Sequence, residues 1–167
     1  SDIFPSRVDG YRSSDLDGLM ASGEVVWMGL RATGPKDGRI ALYTASHFPT
    51  LAPVVVPLEG ERYEPIRSAL KGSGALFFNQ LHGIVGGLPE EALSLLWDLV
   101  WNGEVSNDSL VALRSLTGYR QRKGARRKRR SFIRSQRRLG LPGSEGRWWL
   151  LEQRRGGSSD PATRRLA

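Results

Sequence analysis

One stretch of the chain repeats its apolar residues at helical spacing more strongly than any other. In LPEEALSLLWDLVWNG, residues Ala92, Leu93, Leu96, Trp97, Val100 and Trp101 form a wide apolar stripe. Pro89, Glu90 and Glu91 suit the positive N-terminal end of that helix, and Gly103 ends it. A shorter helix is predicted over about Asp15 to Ser22, with Ser14 as N-cap, Asp17 completing a partial capping box and Gly23 as the stop. EVVWMGL and RIALYTA are rich in β-branched and aromatic residues and read as paired strands, with RATGPKDG as the loop between them. SHFPTLAPVVVPLEG holds too many prolines for a helix and reads as a connector. A further helix begins near Pro65 and ends at Gly72 or Gly74. ALFF is a short strand, NQLHGIVGG a short helix capped by Asn79, and EVSND the start of another strand. GRWWLLEQ is predicted as one strand.

One junction is written twice. Leu16, Leu19, Gly23, Glu24 and Val25 recur 80 positions later as Leu96, Leu99, Gly103, Glu104 and Val105. In both places a helix ends at glycine and a strand begins. The order helix, short strand, helix, helix, strand is that of a winged-helix unit, so the repeat predicts two copies of one module. The expected fold is therefore α+β, with tandem winged-helix modules of which the first and last are truncated. Residues 1–45 supply the last helix and wing of a first module and 46–60 a Pro-rich connector. Residues 61–117 form a second module, 118–146 a basic flexible linker, and 147–167 the start of a further unit.

Charge changes this picture in one place. The chain has a net charge of +8, but GYRQRKGARRKRRSFIRSQRR holds 11 Lys and Arg and no acid. The remainder has 14 basic against 17 acidic residues, so a mildly acidic body carries one strongly basic arm. Arg120, Arg122, Lys123, Arg126, Arg127, Lys128, Arg129, Arg130, Arg134, Arg137 and Arg138 are candidate contacts to nucleic-acid phosphates, with Tyr119 and Phe132 able to stack on bases. The competing reading is a solvated tether. Arg31, Lys36 and Arg39 lie around the first wing tip and are secondary candidates. By contrast, the strongest helix offers Glu90, Glu91, Ser94, Asp98 and Asn102 where a groove-reading helix needs basic or amide side chains. It is expected to pack rather than to read sequence, with Trp97 and Trp101 in the core.

DLDGLMASGEVVWMG, DGRIALY, GALFFNQLH, LLWDLVWNGEVSNDSLVALRSL and GRWWLL resemble the region beyond the motor in the large helicase-related (Lhr) ATP-dependent DNA helicases of bacteria. The resemblance implies a longer parent with RecA-like motor domains, winged-helix modules and a tail similar to a DNA glycosylase family. It implies ATP and magnesium for the parent, single-stranded DNA or a DNA-containing duplex as partner, and a role in DNA repair. This chain has no G-x-x-x-x-G-K-[ST] phosphate loop, so no cofactor is expected on it.

No catalytic residue is assigned. With no cysteine and only two histidines, His47 and His82, no metal site is expected either. No apolar run approaches the length of a membrane span, and a bacterial cytoplasmic location is the expectation. The remaining partners considered are neighbouring modules of the parent and sister copies. The rival functions are a protein–protein or oligomerisation module with the arm as tether, and part of a glycosylase-like repair region.

Overall fold

A computed structural model describes residues 9, 10, 12–118 and 140–152. Helix α1 (Ser13–Ala21) leads through a turn into strand β1 (Val25–Gly34), which pairs antiparallel with β2 (Asp37–Thr44). Both strands run further toward the tip than RATGPKDG suggests. Two irregularities in register, between Gly29 and Arg31 and between Ala32 and Gly34, let the pairing continue to Gly34 opposite Asp37. Helix α1 also starts earlier than expected. Arg12 is its N-cap, Asp15 at the third helical position reaches back to accept from the Arg12 N–H at 3.0 Å, and Ser14 lies inside the helix.

The Pro-rich connector contains a one-turn helix, α2 (Phe48–Leu51). Pro49 fits its first turn, where no backbone N–H is needed. Phe48 is fully buried with Val26, Met28, Ala52 and Leu151 in a small second core. A 3-10 turn (Glu61–Tyr63) precedes α3 (Glu64–Ser73), which ends at Gly74 with φ 74°. Strand β3 (Leu76–Phe77) follows, then α4 (Phe78–Val85) and α5 (Pro89–Trp101). Asn79 is not the cap of α4. Phe77 occupies that position, and its N–H donates to Gln80 Oε1 at 3.0 Å.

After α5 come β4 (Val105–Asn107), α6 (Val111–Leu116) and β5 (Arg147–Leu150). The three short strands form one sheet in the order β3-β5-β4. Strand β5 pairs antiparallel with both neighbours: Leu76 lies opposite Trp148, and Val105 opposite Leu150. This corrects the division expected at residue 147. The strand read as the opening of a further unit is the middle strand of this sheet, because its alternate residues Trp148 and Leu150 are needed to close the core. Residues 140–146 are likewise packed turn, with Gly143 buried against Trp97 and Leu116.

The main core gathers around α5. Its Leu96, Trp97, Leu99, Val100 and Trp101 are buried together with Trp27 and Trp148. Trp97 lies 6.4 Å from Trp27 and 5.4 Å, edge-on, from Trp148 between ring centroids. Strand β1 lies directly on α5. A side chain at Gly29 would meet the carbonyl of Val100, and one at Gly38 would meet the Trp101 ring. Glycine is what allows the hairpin this close approach.

Candidate nucleic-acid interface

The repeated junction has the same backbone in both copies. The N–H of Gly23 donates to the Met20 carbonyl at 3.0 Å and that of Glu24 to Leu19 at 2.9 Å. Gly103 and Glu104 make the same two bonds, to Val100 and Leu99, each at 2.9 Å. Both glycines have φ 78°. This is a Schellman ending, which requires a left-handed residue after the helix. The carbonyl of each glutamate then accepts from the far end of the returning strand: Ala45 N–H at 2.8 Å in one copy, Leu151 N–H at 2.9 Å in the other. Thus β1–β2 and β4–β5 are equivalent hairpins.

Their tips differ. Residues 35 and 36 join the first pair of strands, whereas residues 108–146 join the second. The basic run lies inside this second connection. Its candidates Tyr119, Arg120, Arg122, Lys123, Arg126, Arg127, Lys128, Arg129, Arg130, Phe132, Arg134, Arg137 and Arg138 all lie outside the described residues. The stems on either side are built firmly. Asp108 accepts from the Arg147 backbone N–H and from its Nε, both at 2.9 Å, and donates its own N–H to the Arg147 carbonyl at 3.1 Å. Asn107 Nδ2 donates to the Glu145 carbonyl at 2.8 Å, and its Oδ1 accepts from Ser109 N–H at 2.9 Å. Trp97 Nε1 donates to the Gly143 carbonyl at 2.9 Å. Helix α6 is held to α1 by a bidentate pair, Arg114 to Asp17, at 2.7 and 2.9 Å. The chain therefore leaves at Gly118 and returns at Gly140 from two stems that pack on one another. The sequence marks EVSND and GRWWLLEQ as strands but carries no signal that they pair with each other.

The secondary candidates are placed at the other hairpin. Arg31, Lys36 and Arg39 are exposed, and Arg31 stands opposite Arg39 in the β1–β2 register. Asp37, at the same tip, accepts from the Gly38 N–H at 2.8 Å.

Helix α5, by contrast, is shut off by the first hairpin. Trp27 is 0% exposed, and its Nε1 donates to the Asn107 carbonyl at 2.9 Å. Ser106 Oγ returns a bond to the Trp27 carbonyl at 2.6 Å. Trp97 and Trp101 are buried, so neither presents a face for stacking.

A second polar feature was not foreseen. Glu104 accepts from Arg67 Nε at 2.7 Å, from Leu58 N–H at 2.8 Å and from Asn102 Nδ2 at 2.8 Å. Its side chain is 8% exposed and that of Arg67 16%. The hydrogen bond to Glu104, more than any other influence, raises the Arg67 pKa above the ordinary arginine value. This pair ties the connector, α3 and the second junction together. Among the described residues no cluster of histidine and carboxylates could hold a metal ion, and no helix is long and apolar enough to cross a membrane.

A β-hairpin wing packed across helices, with a mixed helix-and-sheet body, defines a winged-helix protein. Residues 1–45 match the family described as large helicase-related protein, winged-helix domain. The chain is 34% identical over 162 residues, 89% of its length, to the "Lhr helicase/ probable uracil glycosylase" of Mycolicibacterium smegmatis. It is 30% identical over 177 residues, 91% of its length, to the "Lhr helicase/uracil glycosylase" of Escherichia coli. The chain belongs to the large helicase-related family, and it spans about a tenth of the length of these curated relatives, 11% of each.

Proposed function

We propose that this segment is a non-motor, nucleic-acid-engaging part of an Lhr-type ATP-dependent DNA helicase acting in DNA repair in the bacterial cytoplasm. It consists of two winged-helix units in tandem, the second with a basic arm set into its wing. One observation supports this reading above the others. In sequence, the run of 11 cations lies between β4 and β5, whose facing ends are fixed on the core by Asp108–Arg147 and Trp97–Gly143. A wing tip is well placed to meet a phosphate backbone, and cations there release counterions on binding without selecting sequence. The buried α5 agrees with a segment that holds strands in place rather than reading bases. ATP and magnesium belong, on this reading, to the motor of the parent.

The test is fluorescence anisotropy with a labelled single strand across a salt series. The intact chain is compared with one in which Arg126, Arg127, Lys128, Arg129 and Arg130 are glutamine. If the arm binds, log affinity falls with log salt at about −0.7 per neutralised phosphate, and the substitution flattens that slope by several units. Equal, weak binding by both would make the arm a tether.

That outcome would favour the second reading, a module that docks on neighbouring parts of the parent or on sister copies. The exposed apolar side chains Leu51, Val54 and Val56 beside α2 support it. A role in base excision draws on the names of the two relatives alone. The carboxylates of Asp17, Glu104 and Asp108 are each engaged by an arginine, an arrangement that serves folding.

A further inference from the structure

Phe77 is an aromatic side chain of the sheet that the core does not use. Its strand, β3, lies at the edge of the order β3-β5-β4. The two residues of β3 point to opposite faces. Leu76, opposite Trp148, is buried, whereas Phe77, opposite Arg147, is 51% exposed on the outer face. Cross-strand partners put their side chains on the same face, so ring and guanidinium leave the sheet side by side. Strand β5 keeps the alternation: Arg147 is exposed, Trp148 buried and Trp149 half-buried, two positions along the outer face.

Exposure of a single apolar residue says little. The arrangement around Phe77 says more. Its backbone is fixed where β3 meets α4, by the bond from its N–H to Gln80 Oε1. Among the described residues no second ring stacks on it, and the cations that lie over a ring, Arg62 and Arg67, both cover Tyr63. Arg147 is fixed too, but along one edge. Asp108 Oδ2 accepts from its Nε and Oδ1 from its backbone N–H. The two terminal nitrogens of Arg147 make no hydrogen bond among the described residues, and the side chain is half exposed. An uncovered ring beside a half-free guanidinium suits a flat ligand that also carries negative charge. An apolar protein surface has no use for the cation, and a lone phosphate has none for the ring. An unpaired base with its phosphate uses both.

We infer that the outer face of this sheet is a base-stacking point for single-stranded nucleic acid. Phe77 takes the face of one unpaired base, and Arg147 takes the adjoining phosphate. The inference rests on the nucleic-acid reading above and adds selectivity to it. Contacts to phosphate alone are made without regard to the bases. A stacking point favours a single strand, because a base in a duplex must first be taken out of its own stack.

The experiment measures anisotropy of the full chain with three labelled ligands of equal length: a single strand, the same strand abasic at every position, and a duplex. The abasic strand keeps every phosphate and lacks only the bases. The intact protein should bind the normal strand about tenfold more tightly than the abasic one. Phe77→Leu, which keeps apolar bulk without a ring, should bind both strands as the intact protein binds the abasic one. Phe77→Trp should retain the preference, and neither change should alter affinity for the duplex. Arg147→Gln, which can still hydrogen-bond to Asp108, should flatten the salt slope on the normal strand by about 0.7, one phosphate. Melting temperatures of the variants establish that each is folded. Equal affinity of the intact protein for the normal and abasic strands would overturn the proposal. So would a preference that survives Phe77→Leu. Failure of the intact protein to bind any of the three ligands would instead overturn the nucleic-acid reading itself.

Discussion

Glu24 and Glu104 occupy the same backbone position in two copies of one junction, yet they do different things. Both follow a left-handed glycine, both donate their N–H to the helix five residues back, and both accept from the returning strand. Glu24 is exposed and accepts from Ser22 Oγ at 2.9 Å. Glu104 is buried and gathers Arg67, Leu58 and Asn102. The local sequence Gly-Glu-Val is enough to set the turn. What the glutamate side chain is worth depends on what the rest of the chain brings to it. The same lesson applies to the hairpins. One closes over two residues and the other over residues 108–146, although the strands and their anchoring are alike.

The sharpest contrast should appear between Glu104→Ala and Glu24→Ala. Removing the Glu104 carboxylate leaves a mostly buried Arg67 with only the exposed Glu64 and the Leu58 carbonyl as partners, and the Leu58 N–H without its acceptor. The expected cost is about 3 kcal/mol. The exposed Glu24 change should stay within about 0.5 kcal/mol. Urea melts of both proteins check this, and equal losses would break the comparison. The folded-state pKa of Arg67 is raised above the ordinary arginine value, which itself lies far above neutrality. Its side of the pair therefore contributes stability at all pH values below the ordinary arginine range, and lowering the pH through neutrality should not weaken it from that side.

Next in size is the contact between the first hairpin and α5. Gly29→Ala would drive a methyl group into the Val100 carbonyl and should cost about 2–3 kcal/mol. Trp27→Phe keeps most of the ring but deletes the bond to Asn107, for about 1–2 kcal/mol. Thermal melts would show both as destabilised, with Gly29→Ala the worse. The smallest effect is Asp17→Asn. It weakens a partly exposed pair with Arg114 and should cost at most about 1 kcal/mol.

The sequence was most legible where local rules govern. The stripe in α5, the two glycine stops and the strands beginning at Val25 and Val105 are set within a few residues of one another, and all are found where expected. The repeat itself was readable because a Schellman turn needs glycine at one position, whatever surrounds it. Legibility failed where distant residues decide. Arg147–Leu150 looks like the start of something new because the basic run interrupts the chain, and only pairing with β3 and β4 shows that it finishes the sheet. Pro49 argues against a helix, but not in a first turn, and buried Phe48 gives that turn its reason to exist. Helix α6 was missed because its six residues present a single fully buried side chain, Ala112. Of the candidate interface, the charge could be read directly from the sequence. Its root between β4 and β5 could not, since it depends on how those strands pair.

The central claim is that the basic arm is set into an already complete unit and supplies its grip on nucleic acid. The most direct measurement replaces residues 119–139 with a short Gly-Ser turn, then records the melting temperature and single-strand affinity of the same protein. The stems already meet, with Gly143 against Leu116, so melting should shift by no more than a few degrees. Affinity should fall more than tenfold, with a flatter salt dependence. A protein that melts normally and binds as tightly as before would contradict the account.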